Sequence, residues 1–150
     1  MSGEACPLPR DQGKDDEIEI IHRLVRAQRI AVVGLSDDPS RPSYGVAEYL
    51  QSVGKEIVPV NPNHEHVLGE KCYPRLEDVP GSIDLVDVFR RPQFCADVAR
   101  SAIRAGAKGL WLQSGITSAE ARQLAREAGI EYVEDRCLLV EHMRVAKESS

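Results

Sequence analysis

The sequence lacks the features that would tie it to a membrane, to nucleic acid or to a metal ion. No apolar run approaches the roughly 20 residues that a helix needs to cross a bilayer. There is no cluster of lysine and arginine, and the net charge is −5, which disfavours a nucleic-acid surface. The four cysteines are scattered without a C-x-x-C pair, so the usual spacing of zinc ligands is missing. We therefore expect a cytoplasmic protein without a bound metal.

The first residues also lack the apolar core of a signal peptide. They are polar and contain two prolines, which predicts a flexible tail over residues 1–14. The remaining residues, 15–150, have the length and the ordinary composition of one domain with a buried core. Internal repeats and low-complexity segments are missing as well, so a single globular domain is predicted.

A further absence concerns glycine in the stretch "VVGLSDDPSRPSYGVAEYL", residues 32–50. A buried strand runs into Gly34, as it would before the G-x-G-x-x-G loop of a dinucleotide-binding protein, but Ser36 stands where the second glycine belongs. The second predicted strand ends at Asn61 and Pro62, without the acidic residue that would bind the ribose of NAD. The loop is thus longer and more polar than an NAD loop, and NAD is disfavoured.

Short apolar runs alternate with helical patterns along the chain. The predicted strands cover residues 29–34, 55–60, 84–89, 108–113 and 130–135. The predicted helices cover residues 15–28, 43–54, 91–107, 117–129 and 136–146, and "RLEDVPG" predicts one further helical turn. Strands that are apolar on both faces and alternate with helices indicate a parallel sheet covered on both sides. The fold class is therefore α/β: a single doubly wound, Rossmann-like five-stranded parallel sheet with helices on both faces.

Local patterns also predict helix starts and buried faces. Asp15 or Asp16 is expected to cap the first helix, and Thr117 with Glu120 forms a capping-box pattern before the fourth. The spacing places these apolar side chains toward the core: Ile18, Ile21, Leu24 and Val25; Val46, Ala47, Leu50 and Val53; Cys95, Val98, Ala99 and Ala102; Ala121, Leu124, Ala125 and Ala128.

A ligand of such a sheet binds beyond the carboxyl ends of the strands, where the strand order reverses. Helices start after three of these ends, and helix N-termini favour anions. Hydroxyl and guanidinium groups are predicted on the same edge; they belong to Ser36, Arg41, Ser43, Arg90 and Arg91. This set favours an anionic nucleotide that carries phosphates in several places.

Several segments together resemble the small bacterial CoA-binding proteins, whose fold is similar to the N-terminal CoA-binding domain of the succinyl-CoA synthetase α subunit. The segments are "IAVVGLSDDPSRPSYGVAEYL", "IVPVNPNHEHVLGEKCYP", "IDLVDVFRR" and "GLWLQSGI…AREAGIEYVEDRCLLVEH". The resemblance covers about residues 17 to 143. It implies coenzyme A as the ligand, because CoA carries a diphosphate and a separate 3′-phosphate that suit a long polar loop.

The resemblance also implies roles for particular residues. Backbone groups of the first loop would line the nucleotide, Arg41 and Ser43 would meet phosphate, and Leu112 and Gln113 would approach the pantetheine arm. The complete implied set is Gly34, Leu35, Ser36, Asp37, Arg41, Ser43, Asn61, Pro62, Val88, Phe89, Arg90, Leu112 and Gln113. Asn61 and Pro62 would border the adenine, and Val88, Phe89 and Arg90 would run along the middle of the cofactor.

Some of these residues also fit purely structural roles. Ser43 also fits a helix N-cap, and Asn61 with Pro62 is more typical of a backbone turn than of a direct ligand. Cys137 follows the last strand on the ligand side and could form a mixed disulfide with CoA, although a half-buried packing role is favoured. Cys95 is predicted to pack in the core.

No pattern of residues specifies catalysis. There is no G-x-S-x-G elbow around a serine and no acid–base pair beside a nucleophile. The favoured hypothesis is a protein that binds CoA or a short acyl-CoA without a reaction of its own. Two alternatives stay open: a CoA-handling subunit of an enzyme that a protein partner completes, and a binder of another adenine nucleotide.

Overall fold

The computed structural model describes residues 9–148, which form five helices, seven strands and one short 3₁₀ turn. The helices are α1 (Pro9–Leu24), α2 (Pro42–Ser52), α3 (Pro92–Arg104), α4 (Ala119–Ala128) and α5 (Leu138–Glu148). The strands are β1 (Arg29–Val33), β2 (Glu56–Val60), β3 (His66–Val67), β4 (Glu70–Lys71), β5 (Leu85–Val88), β6 (Gly109–Leu112) and β7 (Glu131–Val133). The predicted helical turn in "RLEDVPG" is the 3₁₀ turn Leu76–Asp78.

Five of the strands form one parallel sheet in the order β2-β1-β5-β6-β7. In its register Val33 lies between Val60 of β2 and Val88 of β5, and Val88 in turn lies opposite Leu112 of β6. The chain goes from β1 outward to β2 and then returns past β1 to β5, so the strand order reverses between β1 and β5. The predicted doubly wound sheet is confirmed, and its switch point lies at the carboxyl ends of β1 and β5.

Helices cover both faces of this sheet because the strands are apolar on both faces. On one face α1, α2 and α5 pack on alternate strand residues such as Ile30, Val32 and Trp111. On the other face α3, α4 and the 3₁₀ turn pack on residues such as Val86 and Leu110. Trp111, the one tryptophan of the chain, is fully buried. No helix within residues 9–148 is long and apolar enough to span a bilayer.

The segment between β2 and β5 protects one edge of the sheet. It forms the antiparallel hairpin β3–β4 and a parallel bridge between Val60 and Tyr73. The Asn61 N–H donates to the Tyr73 carbonyl, and the Tyr73 N–H donates to the Pro59 carbonyl, at 2.8 and 3.0 Å. These bonds satisfy the outer side of β2, which would otherwise offer unpaired backbone groups.

Some predicted boundaries and faces are wrong. α1 begins at Pro9 rather than at a cap on Asp15 or Asp16, since proline suits the first turn of a helix, where its missing N–H has no helical partner. Residues 1–8 of the predicted tail lie outside the described residues. Ile18 and Val53 are exposed rather than buried, because Ile18 lies at the outer rim between α1 and α5 and Val53 follows the last helical residue of α2. In α4, Ala128 is likewise exposed.

The predicted capping box before α4 is also wrong. Ser118 is the N-cap, and its hydroxyl oxygen accepts the Ala121 N–H at 3.1 Å. The Ser118 backbone is held from both sides, because its N–H donates to Glu134 and its carbonyl accepts from the Tyr132 hydroxyl. These long-range bonds select serine over the preceding threonine as the cap.

We expect Ser118→Ala to lower the free energy of unfolding by about 1 kcal/mol, the usual value of a helix cap. Thr117→Ala is the matched control and should change it by less than about 0.5 kcal/mol, as is usual for exposed positions. Urea unfolding followed by Trp111 fluorescence measures both values. Equal losses in the two variants would contradict the assignment of the cap to Ser118.

Candidate functional site

Gly34 brings the loop that follows β1 into close contact with the end of the neighbouring strand β5. Its φ is +86°, a left-handed conformation that favours glycine. A Cβ at this position would lie 2.5 Å from the Phe89 carbonyl oxygen, and the Gly34 N–H donates to the Val60 carbonyl at 2.9 Å. The chain thus crosses the switch point in close contact with the ends of β2 and β5. This crossing requires glycine whether or not a ligand is bound.

The polar loop that follows is hydrogen-bonded to itself. The Ser36 N–H donates to the Ser43 hydroxyl at 3.1 Å, and the Ser36 hydroxyl accepts the Asp38 N–H at 3.0 Å. The Asp38 carboxylate accepts the N–H and the hydroxyl of Ser40, and these bonds lower the pKa of Asp38. Most of the short polar side chains in the loop therefore shape its backbone.

Ser43 is the second residue of α2 and is almost fully buried. Arg41 occupies the N-cap position, so the interpretation of Ser43 as an N-cap is wrong. The hydroxyl oxygen of Ser43 instead braces the loop through Ser36. Arg41 itself is exposed and lies 4.0 Å from the Asp38 carboxylate, a weak surface pair that leaves its guanidinium accessible.

Asn61 joins the loop after β2 to the loop after β1. Its amide nitrogen donates to the Leu35 carbonyl at 3.0 Å, and its amide oxygen accepts the Asn63 N–H at 2.9 Å. Asp37 and His64 connect the same two loops, with 3.6 Å between Oδ2 and Nδ1. Asn61 therefore shapes the backbone, in agreement with the plainer of its two predicted roles.

The structure does not expose all of the predicted site residues. Leu35, Val88 and Leu112 are completely inaccessible. Leu35 belongs to the core under α2, and Val88 and Leu112 belong to the core under α3 and α4. Gln113 is 4% exposed, and its amide is used within the protein. The residues at the switch point that retain exposed surface are Gly34, Ser36, Asp37, Arg41, Asn61, Pro62, Phe89 and Arg90.

A cleft of about 430 Å³ opens beside this group, between α3 and the segment around the 3₁₀ turn. We call it the α3 cleft. Its apolar walls include Val33, Val60, Pro62, Pro74, Leu76, Phe94 and Val98. The Arg90 guanidinium lies over the Phe94 ring, 4.5 Å from its centroid. Sequence reasoning missed Phe94; the available signal was an aromatic residue in the first turn of a helix that starts at the ligand edge.

A buried carboxyl group lies in the sheet below the same edge. Asp87 of β5 is fully buried, and its Oδ1 accepts the Gln113 amide at 2.5 Å, whereas Oδ2 has no hydrogen-bond partner among the described residues. Burial raises the pKa of Asp87 to about 7, although the Gln113 hydrogen bond opposes this shift. The Gln113 amide oxygen accepts the Leu138 N–H at 3.4 Å, which connects the pair to the start of α5. Sequence reasoning missed this network.

The three cysteines within residues 9–148 form no metal centre. Cys72 and Cys95 are buried, Cys137 is half-buried, and all three are free thiols. Burial raises the pKa of the Cys72 and Cys95 thiols, which makes them poorer nucleophiles. Cys95 packs in the core as predicted. Within residues 9–148 no group of three histidine, cysteine or acidic side chains could hold a metal ion.

Comparison with known proteins identifies the family to which this chain is similar. Residues 28–143 match the model of the CoA binding domain family. The chain is 42% identical over 124 residues to the uncharacterized protein YneT of Bacillus subtilis, covering 83% of this chain and 92% of that protein. A hypothetical protein from Pyrococcus horikoshii OT3 has the same fold, with a TM-score of 0.82, 40% identity and coverage of 96% and 99% of the two chains.

A larger relative extends the comparison. An ADP-forming acetate–CoA ligase of Archaeoglobus fulgidus is 29% identical over 120 residues, which are 79% of this chain but only 17% of the ligase. The region that matches the family model, residues 28–143, includes the whole switch point, from β1 through the α3 cleft to β6. The resemblance predicted from the sequence is thereby confirmed, and the chain belongs to the CoA binding domain family.

Proposed function

We propose that this protein binds coenzyme A, or a short acyl-CoA, at the carboxyl ends of the parallel strands. The observation that carries the proposal is the coincidence of the family match with an arginine-bearing cleft at the switch point. Ligands of open α/β sheets bind at this place in the fold. The cleft volume also lies in the range of small-molecule sites.

The geometry at the switch point suits a ligand with anionic groups. α2 and α3 both begin there, at Pro42 and Pro92, and the unpaired N–H groups of a helix start favour negative charge. The Arg90 side chain passes beside Gly34, and Arg41 adds a guanidinium group at the start of α2. We infer that the diphosphate of CoA binds near the loop of residues 36–41 and the start of α2.

The same geometry disfavours NAD. In NAD-binding sheets an acidic residue after the second strand binds the ribose hydroxyls. Here that position is held by Asn61, whose amide is occupied by Leu35 and Asn63, and by Pro62, which has no polar side chain. Asp37 lies on the first loop instead and faces His64.

A second candidate function is that of a CoA-handling subunit whose catalytic residues come from a partner. The match to part of an ADP-forming acetate–CoA ligase favours this candidate, because in that protein the matched region is one portion of a larger enzyme. Its catalysis is not carried over to this chain. We also propose a cytoplasmic location, with which the three free thiols agree.

We expect CoA to raise the melting temperature more than NAD or ADP at equal concentration. A ligand present at a hundredfold excess over its Kd stabilises the native state by about 2.7 kcal/mol, which for a domain of this size corresponds to roughly 5–10 °C. Thermal unfolding followed by Trp111 fluorescence measures the shift. A larger shift with NAD, or equal shifts with ADP and CoA, would contradict the proposal and favour another adenine nucleotide.

A further inference from the structure

The two edges of the central sheet differ in how they are covered. β2 lies at one edge, and the segment that contains the β3–β4 hairpin and Tyr73 bonds to its outer side. β7 lies at the other edge, and no strand within residues 9–148 pairs with its outer side. An edge of this kind presents free N–H and C=O groups to any strand that approaches it. β7 is therefore the edge at which another strand can join the sheet.

The backbone of β7 directs its polar groups alternately toward β6 and away from it. The Glu131 N–H donates to the Lys108 carbonyl at 3.3 Å, on the β6 side. Because neighbouring residues of a strand direct their N–H and C=O groups to opposite sides, Tyr132 and Glu134 direct theirs away from β6. The backbone groups of Tyr132 and the Glu134 N–H are unpaired among the described residues.

The outer edge of β7 is complementary to itself. The Ile130 N–H donates to the Ala125 carbonyl at 3.1 Å, so only the Ile130 carbonyl remains available. From Ile130 to Glu134 the available groups are an acceptor, a donor, an acceptor and a donor: the Ile130 C=O, the Tyr132 N–H, the Tyr132 C=O and the Glu134 N–H. In the reverse direction the same series begins with a donor. Each donor therefore meets an acceptor when two such edges pair antiparallel.

A groove runs along this edge between α1 and α4, with a volume of about 750 Å³. We call it the β7 groove. Ile20 of α1 and the half-buried Ile130 and Tyr132 give it apolar surface. A second strand beside β7 would cover these side chains as well as the free backbone groups. The groove thus leaves room for pairing and supplies apolar surface to bury.

The charges on the α4 side of the groove are arranged end to end. Glu134 lies where β7 ends, and its Oε2 accepts the Arg122 guanidinium at 2.8 Å and no other group among the described residues. Arg126 lies one helical turn further along α4, toward the beginning of β7. Arg126 is exposed and forms no ion pair within residues 9–148. A two-fold axis at Tyr132 would bring Arg126 of each copy to the level of Glu134 of the other.

We propose that β7 pairs antiparallel with β7 of a second copy of this chain, about a two-fold axis at Tyr132. The two Tyr132 residues exchange their N–H and C=O groups, and each Glu134 N–H donates to the Ile130 carbonyl of the other copy. Arg126 of each copy contacts Glu134 of the other on the α4 side. The interface is isologous, as in most homodimers, and it joins the two sheets into one.

The inference does not rest on the proposed function. In an antiparallel pair the carboxyl ends of the strands in the two copies point in opposite directions. The two switch points then lie on opposite sides of the dimer, so each chain retains its own site. CoA binding by the monomer or by the dimer therefore bears on the proposed function alone.

Sedimentation equilibrium over a range of chain concentrations measures the association. Wild type should reach twice the chain mass of 16.6 kDa. Arg126→Glu should raise the Kd of the dimer about 10- to 100-fold, because symmetry turns both attractive contacts into repulsive ones. Arg126→Lys keeps the charge and should keep most of the association. Arg26→Glu is the matched control, since Arg26 is also an exposed arginine close behind a helix end but lies outside the groove; its Kd should stay within about threefold of wild type.

Hydrogen exchange locates the interface. The Tyr132 and Glu134 amides should exchange more slowly as the chain concentration rises through the Kd, and in Arg126→Glu this protection should require a higher concentration. A wild-type protein that stays at 16.6 kDa at millimolar chain concentration overturns the inference. A dimer that forms equally well in Arg126→Glu, or that leaves the two amides unprotected, also overturns it, because the interface then lies elsewhere. Trp111 fluorescence verifies folding of each variant.

Discussion

Gly34→Ala should lower the free energy of unfolding by about 3 kcal/mol. The left-handed φ of +86° costs a residue with a Cβ about 1–2 kcal/mol. The new Cβ would also lie 2.5 Å from the Phe89 carbonyl oxygen, and both atoms belong to the backbone framework, so strand ends must shift. Urea unfolding followed by Trp111 fluorescence measures the loss.

Gly45→Ala is the matched control for this variant. Gly45 lies in α2, its φ is not positive, and a Cβ there would meet no atom within 4 Å. Alanine should therefore stabilise the protein by about 0.5–1 kcal/mol. Equal effects of the two substitutions would contradict the close crossing at Gly34. Because Gly34 is required by the fold itself, loss of CoA binding in its variants would not locate the ligand.

Asp87 should make the protein less stable as the pH rises toward 7. The pKa is about 7 in the folded state and about 3.9 in an unfolded chain, so the folded state holds one more proton between these values. The free energy of unfolding then decreases with pH over this window and levels off above it. At 1.36 kcal/mol for each pKa unit, the decrease is up to about 4 kcal/mol, most of it above pH 5.

Asp87→Asn removes the titrating group and keeps the shape, and its amide oxygen can still accept from Gln113. At pH 4 the variant should match wild type within about 1 kcal/mol, and at pH 8 it should be more stable by up to about 4 kcal/mol. The measured quantity is the difference between the two proteins in urea unfolding from pH 4 to 8. His22 and His142, whose pKa values are raised and lowered respectively, contribute equally to both proteins.

Asp84→Asn is a control for which the stability difference from wild type should change with pH in the opposite direction. The Arg29 and Gln28 N–H groups and Lys108 lower the pKa of Asp84, so its contribution to stability is present above its unfolded pKa and is lost as the pH falls. Asp84→Asn should thus be less stable than wild type at pH 7, with a smaller deficit toward pH 3. A difference between Asp87→Asn and wild type that stays constant with pH would show that Asp87 does not titrate in this range.

The α/β architecture could be predicted from the sequence because its signals are local. Five short apolar runs alternate with helical patterns, and residues such as Gly54, Gly129 and Pro92 mark where helices end or begin. A parallel sheet with right-handed connections then leaves few arrangements. The place proposed for the site follows as well, since Gly34 ends one predicted strand and Arg90 directly follows another. These conclusions need only the order of residues along the chain.

Which polar groups stay free for a ligand was decided only by the tertiary structure. Ser43 and Asn61 have the residue types of ligand-binding side chains, but contacts with Ser36 and Leu35 use them to hold the loops. Asp87 and Gln113 are 26 positions apart along the chain, so no local sequence pattern indicates that they pair.

Two arginines of the α3 cleft show most clearly what the sequence alone does not determine and the tertiary structure does. Arg90 and Arg104 are chemically identical in the sequence, and both line the α3 cleft in the structure. Glu77, 27 residues away along the chain, compensates Arg104, whereas Arg90 rests on Phe94 without a carboxylate partner among the described residues. Pattern and periodicity determine the elements because those depend on neighbouring residues. Partners that are distant along the chain determine which charge remains available, and only folding brings them together.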